Sequence, residues 1–120
     1  MKKINITLLT VLSFYFIASF VSCTSTHKID LSSIPANTVV MADTKFTPST
    51  ITIPKGTKVT WKNLEDRTHN AAADDKSWRT DDMEFGESKS VVFDKPGTYT
   101  YHCTHHSAMG FGMTGTVIVQ

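Results

Sequence analysis

Apolar and polar residues alternate along several short stretches of the chain. In residues 57–62 (TKVTWK), Val59 and Trp61 share one face while lysine and threonine share the other, and residues 49–53 (STITI) alternate in the same way. A period of two residues predicts β-strands that bury one face. No comparable stretch outside the N-terminal segment has a helical period. The pattern therefore predicts an all-β domain of roughly seven or eight short strands, and the simplest such fold is a sandwich.

One strand of this pattern ends in a cysteine. In residues 98–103 (TYTYHC), the two tyrosines and Cys103 fall on one face, and His102 falls on the other. If the tyrosine face is the core, the thiol of Cys103 points inward at the end of the strand. We expect a glycine-containing loop to follow and to fold His106 back over that strand end, before residues 116–120 form the last strand.

The first residues of the chain are patterned differently. Two lysines precede an apolar run over residues 4–21, which is the order of charged and apolar regions in a secretory signal. The sequence FVSC at positions 20–23 also resembles a bacterial lipobox, in which the signal is cut before a cysteine that then receives lipid. We therefore expect residues 1–22 to be a lipoprotein signal and Cys23 to carry a lipid. Simple secretion and an uncleaved anchor are the alternatives.

The rest of the chain divides into a tether and a domain. Residues 23–37 are rich in serine and threonine and have no apolar period, so we expect a flexible tether there. Residues 38–120 carry the strand pattern and form the domain. All three interpretations of the N-terminal segment place this domain outside the cytoplasm, in the periplasm or cell envelope.

Length and charge narrow the classes of function. The chain has 120 residues, of which 40% are hydrophobic and 19% charged, which fits one modest domain and excludes a disordered or fibrous chain. Without the two lysines of the signal, 10 basic residues stand against 11 acidic ones, a formal net charge of −1. We do not expect such a chain to bind nucleic acid. Residues 63–87 hold 3 basic and 8 acidic residues, a local net charge of −5, which indicates either solvated loops or an acidic face for a basic partner.

The two cysteines do not form an obvious pair. If Cys23 carries lipid, Cys103 has no partner in the chain, and an unpaired thiol in an oxidising compartment is either a small buried hydrophobe or a ligand. Residues 101–115 (YHCTHHSAMGFGMTG) surround this thiol with three histidines and two methionines, and His69 lies in an earlier polar loop. Two imidazoles, a thiolate and a thioether are the donors of a blue-copper electron-transfer site, whereas zinc sites prefer cysteine, histidine and carboxylates. The set of residues favours copper.

Three short motifs resemble one protein family. The sequences THN at 68–70, YHCTHH at 101–106 and GMTGTVIV at 112–119 are similar to those of the plastocyanin, amicyanin and pseudoazurin group of the cupredoxin family, and the likeness extends over residues 37–120. The resemblance implies a Greek-key β-sandwich that holds one mononuclear type 1 copper near one end and carries single electrons.

The resemblance also assigns site residues. It implies three equatorial copper ligands: His69, Cys103 and His106. Asn70 matches the family asparagine that ties the two ligand loops together by hydrogen bonds. We assign the weak axial position to Met113, because it opens the sequence MTGTV that leads into the family's last strand. Met109 is the alternative, since its spacing from His106 is that of amicyanin.

The chain departs from the family next to one ligand. His105 stands where relatives often have proline, and we expect it to be a solvent-exposed side chain; a proton-responsive neighbour and an alternative ligand are the other interpretations. His102 is expected at the surface. In relatives the edge of the second histidine ligand reaches an apolar surface patch and is the usual exit for the electron, so we expect Met109 and Phe111 to flank His106.

These residues predict an electron carrier and not an enzyme, because four protein ligands leave no position for a substrate. The expected partner is a redox protein such as a c-type cytochrome or a terminal reductase or oxidase, and the carrier is expected to be a monomer held at a membrane by the lipid on Cys23. The alternative is a periplasmic copper carrier or storage protein that delivers copper to an oxidase. A subunit of a copper enzyme would need a second metal centre, for which His27, His102 and His105 make no plausible set.

Overall fold

The structure, a computed structural model, describes residues 30–108 and 111–120. This part of the chain forms eight β-strands after a single turn of 3-10 helix at Leu31–Ser33. The strands are β1 (Thr38–Ala42), β2 (Lys45–Thr47), β3 (Thr50–Ile53), β4 (Thr57–Asn63), β5 (Ala72–Ala73), β6 (Ser88–Phe93), β7 (Gly97–Ala108) and β8 (Phe111–Val119). The predicted all-β class is confirmed.

The strands form two sheets of four. One sheet has the order β2-β1-β4-β6 and the other has the order β3-β8-β7-β5. The pairs β1/β4 and β3/β8 are parallel, and the remaining pairs are antiparallel. The chain crosses between the sheets after each strand from β2 to β6, so the connections join two layers around one core. The predicted β-sandwich is confirmed.

An aromatic cluster fills the core between the sheets. Trp61 is fully buried, as the alternation in its strand predicts, and its ring centroid lies 5.4 Å from that of Tyr101 in an edge-on contact. Trp78, from the charged loop after β5, joins the cluster at 5.2 Å from Trp61. The ring of Tyr101 lies over Gly115, where a Cβ atom would come within 2.4 Å of it. Burial raises the pKa of Tyr101 to about 12, so its phenol stays neutral in the core.

The end of the expected tether is packed against the domain. The backbone N–H of Thr60 in β4 donates to the carbonyl of Asn37 at 2.9 Å, and the turn at Leu31–Ser33 comes shortly before that contact. The predicted signal, Cys23, His27 and Met109 lie outside the described residues. Within residues 30–108 and 111–120, no helix has the length and apolar character needed to cross a membrane.

Candidate metal centre

The side chains of His69, Cys103 and His106 lie together in the structure. The Cys103 sulfur is 3.7 Å from Nδ1 of His69 and 3.6 Å from Nδ1 of His106, and the three atoms lie within 4.8 Å of one another. His69 comes from the connection that crosses from one sheet to the other between β4 and β5, whereas the other two belong to β7. Three residues that the sequence singled out separately therefore form one cluster.

A bulge in β7 brings Cys103 and His106 to the same side. The pairing register between β7 and β8 shifts between His102 and Ser107, so the four residues from Cys103 to His106 lie opposite the single residue Met113. The hydroxyl of Ser107 donates to the carbonyl of Cys103 at 2.7 Å and closes the bulge. We expected a loop after Cys103, but hairpin pairing resumes beyond it. The bulge re-aims a side chain that strict alternation would not place beside the thiol.

The opposite strand fits this bulge closely. Gly112 has φ +111°, and a Cβ atom there would lie 2.4 Å from the carbonyl oxygen of His106, so only glycine allows the two strands to approach. Met113 follows directly, is 1% exposed and belongs to the same buried cluster as Cys103. The structure thus buries Met113 opposite the bulge. Its assignment as a ligand stays a prediction.

Asn70 connects the two segments that carry the cluster. This side chain is fully buried, its Nδ2 donates to the hydroxyl of Thr104 at 2.8 Å, and its Oδ1 accepts from the backbone N–H of Thr104 at 2.9 Å. Because Asn70 follows His69 and Thr104 follows Cys103, the pair of hydrogen bonds holds the imidazole and the thiol at a fixed separation. The expected hydrogen bonds of Asn70 between the two segments are confirmed.

Glu65 is a neighbour of the cluster that the sequence did not reveal. The imidazole of His69 is fully buried and directs Nδ1 at Cys103, while its Nε2 lies 3.1 Å from Oε2 of Glu65. The same carboxylate oxygen accepts from the backbone N–H of Thr44 at 2.7 Å. Because both contacts converge on Oε2, Glu65 fixes the orientation of the His69 ring.

The charge of Glu65 also decides which nitrogen of His69 carries the proton. Partial burial acts to raise the pKa of Glu65, but the hydrogen bonds from Thr44 and His69 together hold this pKa below its usual range. An ionised carboxylate accepts a hydrogen bond from Nε2–H, which keeps the ring proton on Nε2 and leaves Nδ1 with a free electron pair beside the thiol. The position of Glu65 four residues before His69 in a polar loop gives no periodic signal that would identify it.

The two other histidines of β7 lie outside the cluster. His105 is 38% exposed and its Nε2 lies 3.1 Å from a carboxylate oxygen of Asp82, so the expected solvent-exposed position is confirmed. His102 is partly exposed, with Nδ1 at 2.6 Å from Oδ1 of Asp74. Both imidazoles are thus paired with carboxylates.

The geometry and chemistry of the cluster fit a metal ion. In a trigonal site with a metal–sulfur bond of about 2.3 Å and a metal–nitrogen bond of about 2.0–2.1 Å, sulfur and nitrogen are about 3.8 Å apart. The observed separations of 3.6 and 3.7 Å are close to that value. Two imidazole nitrogens, one thiol and a nearby buried thioether are the donors that suit copper.

Known proteins share this arrangement of strands. A family model described as a cupredoxin-like domain matches residues 12–119. The chain belongs to the cupredoxin family. Plastocyanin from Tetradesmus obliquus is 36% identical over 104 residues, which cover 75% of this chain and 70% of the relative. Amicyanin from Paracoccus versutus is 29% identical over 107 residues, covering 83% and 78%.

Solved structures agree with this family. The Cu(I) form of an amicyanin variant superposes with a TM-score of 0.63 and 28% identity, covering 74% of this cupredoxin and 88% of that chain. Other similar amicyanin structures are of oxidised and reduced forms. A copper-containing nitrite reductase from Thermus scotoductus gives a TM-score of 0.63 and 30% identity over 72% of this chain, which corresponds to only 22% of that enzyme. This cupredoxin is an electron-transfer protein with one type 1 copper.

Proposed function

We propose that this cupredoxin carries single electrons between redox proteins with His69, Cys103 and His106 as equatorial copper ligands and Met113 as the axial ligand. The observation that supports this proposal is the position of two Nδ1 atoms at 3.6 and 3.7 Å from a buried thiol. When bound, copper supplies the one-electron change between Cu(II) and Cu(I). A mixed set of sulfur and nitrogen donors is a compromise that both oxidation states accept.

The contribution of the protein is a donor set that moves little. The Asn70–Thr104 hydrogen bonds hold the two proposed ligand segments together, and Gly112, which has no Cβ atom, lets the opposite strand approach the His106 carbonyl closely. Donors held in this way keep nearly the same positions when the charge of the site changes. Four protein ligands leave no position for a substrate, so we propose a carrier and not an enzyme.

The electron would leave through the ring of His106. This side chain is partly exposed, whereas His69 and Cys103 are fully buried. Phe111, in the same hairpin, is 83% exposed and offers the apolar surface that we expected beside the exit. An exposed aromatic ring in the same hairpin as a partly exposed imidazole is a suitable contact for a partner that binds briefly. The copper atom and the partner would then be separated by one side chain.

Reversible one-electron reduction tests this function. The copper-loaded, oxidised protein is titrated with a one-electron reductant while its visible and electron paramagnetic resonance spectra are recorded. We expect an intense blue band from thiolate to copper that bleaches with one electron per copper and returns on re-oxidation. A pale copper complex that does not respond in this way would contradict the proposal.

The burial of the donors also bears on the alternative of a copper carrier or storage protein. Such proteins transfer the metal itself, which is easiest when the ligands are exposed to the acceptor. Here His69 and Cys103 are fully buried and Met113 is 1% exposed. The structure therefore does not favour metal delivery, and we retain electron transfer as the proposed function.

The proposed partner is a protein with a basic contact surface, such as a c-type cytochrome or a terminal reductase or oxidase. The excess of acidic residues in positions 63–87 supports electrostatic attraction to such a surface. Several of these carboxylates are already used within the domain, however: Glu65 contacts His69, Asp74 contacts His102, and Asp82 contacts His105. The other acidic residues of this segment would attract the partner. We also propose that the protein is a monomer and does not bind nucleic acid.

We further propose that the protein is exported and anchored by a lipid on Cys23, with residues 23–37 linking this anchor to the domain at 38–120. The lipobox-like sequence at positions 20–23 supports this location. In cells producing the Cys23→Ala variant, we expect a protein without lipid that keeps its signal uncleaved, because both acylation and cleavage of a lipoprotein signal depend on this cysteine. Mass spectrometry of the wild-type protein should find the lipid. An unmodified wild-type protein in the soluble fraction would contradict the anchor.

A further inference from the structure

One carboxylate contacts both segments that carry the proposed copper ligands. Asp82 lies between β5 and β6, its Oδ1 accepts from Nδ2 of Asn70 at 2.7 Å, and its Oδ2 lies 3.1 Å from Nε2 of His105. Asn70 directly follows His69, and His105 directly precedes His106. Asp82 is therefore linked, through one intermediate residue on each side, to two imidazoles from distant parts of the chain.

The contact with Asn70 completes a buried hydrogen-bond group. The amide nitrogen of Asn70 has two hydrogens, and it contacts the hydroxyl of Thr104 at 2.8 Å and the carboxylate of Asp82 at 2.7 Å. Because Asn70 is fully buried, loss of the Asp82 acceptor would leave a polar group without its partner. A carboxylate that accepts from an amide makes a short and strong hydrogen bond.

The contact with His105 occurs where this chain departs from the family pattern. Proline at this position would fix the backbone dihedral φ before the second histidine ligand, whereas histidine leaves it free. The side chain of His105 is instead held from outside by Asp82, and Arg79 approaches the other carboxylate oxygen at 3.3 Å. A side-chain contact thus restrains the backbone that precedes His106.

We propose that Asp82 is a positioning residue for the copper site, which holds the segment of His106 in place of the missing proline and joins it to the segment of His69. This inference rests on the proposed ligand set. An ion pair as exposed as this one contributes little to global stability, so its effect should appear in the geometry and retention of the metal. The metal-free Asp82→Asn protein, which can still accept a hydrogen bond from Asn70, should therefore unfold at nearly the same temperature as the metal-free wild type.

The test compares Asp82→Asn with Asp81→Asn in the full-length protein. Asp81 is the matched control, because it is the adjacent residue, loses the same charge, is 88% exposed and has only a 3.6 Å contact with Lys89. We expect Asp82→Asn to change the copper hyperfine splitting in the electron paramagnetic resonance spectrum. We also expect it to transfer copper to a chelator about tenfold faster, as loss of a residue that supports a ligand does. The Asp81→Asn protein should match the wild type in both measurements.

Two further variants separate the contact of Asp82 with Asn70 from its contact with His105. Asp82→Ala removes both hydrogen bonds, so its changes in hyperfine splitting and in the rate of copper transfer should be larger than those of Asp82→Asn, which can still accept a hydrogen bond from Asn70. His105→Ala should change the spectrum by itself, and combining it with Asp82→Asn should add little, because the two residues act through one contact. Equal spectra and chelation rates for Asp82→Asn and Asp81→Asn, or fully additive effects in the double variant, would overturn the inference. A wild-type protein without the blue band would contradict the proposed function instead, since chelation of copper can be measured in either case.

Discussion

In the Cys103→Ser protein, the blue absorption of the oxidised copper form is expected to be absent. The sulfur of Cys103 lies close to both Nδ1 atoms of the cluster, at 3.7 and 3.6 Å. A serine hydroxyl is a harder donor that suits Cu(I) poorly, and it would occupy a fully buried position. We also expect the variant to bind Cu(I) more weakly. Visible and electron paramagnetic resonance spectra of the copper-loaded variant test for the blue absorption, and competition with a Cu(I) chelator measures the loss of affinity.

The chain contains its own control for this substitution. Its other cysteine is Cys23, so the Cys23→Ser protein undergoes the same chemical change far from the proposed ligands in the sequence. That protein should keep the blue band and the Cu(I) affinity of the wild type. A band that survives in Cys103→Ser would exclude a thiolate ligand and leave a site of histidine and methionine alone.

Glu65→Gln is expected to raise the reduction potential and to weaken copper binding about tenfold to a hundredfold. Glutamine keeps the length of the side chain and an oxygen that can accept from Nε2 of His69, but it removes a negative charge 3.1 Å from that nitrogen. A nearby negative charge stabilises Cu(II) more than Cu(I), because Cu(II) has the larger charge. Its removal therefore favours the reduced form and shifts the potential upward.

Asp66→Asn is the matched control for Glu65→Gln. Asp66 is the next residue along the chain, is exposed and carries the same formal charge. Any effect of net charge on the potential is thus shared by the two variants, and their difference measures the contact with His69. Potentials from spectroelectrochemical titration and affinities from chelator competition should separate Glu65→Gln from Asp66→Asn. If both variants shift by the same amount, the carboxylate does not act through the imidazole.

The strands and the donor set follow from the sequence because each depends on local information. A period of two residues places Cys103 on the buried face with Tyr101, and both side chains are buried in the structure. The choice of copper follows from the kinds of donor, which do not depend on coordinates. The family motifs then identify His69, although 34 residues separate it from Cys103.

The finer parts of the site could not be predicted because they depend on how separate segments meet. A strict alternation ends at Cys103, and the bulge that turns His106 inward requires the close approach of Gly112 on the opposite strand. Glu65 and Asp82 are acidic residues in loops, where no periodicity marks a position. Their contacts with imidazoles depend on the three-dimensional conformation of the loops after β4 and β5, which the sequence pattern does not give.

The sequence separations of the proposed donors have a consequence for how copper affects folding. Cys103, His106 and Met113 belong to one hairpin, whereas His69 joins them only when the connection between the sheets is in place. An unfolded chain therefore keeps three soft or borderline donors close enough to chelate Cu(I). Affinity for the unfolded chain subtracts from the stabilisation that a bound metal gives to the native state. The remaining stabilisation comes from closing the long segment between His69 and Cys103. Bound copper therefore stabilises the joining of the two sheets more than it stabilises the hairpin.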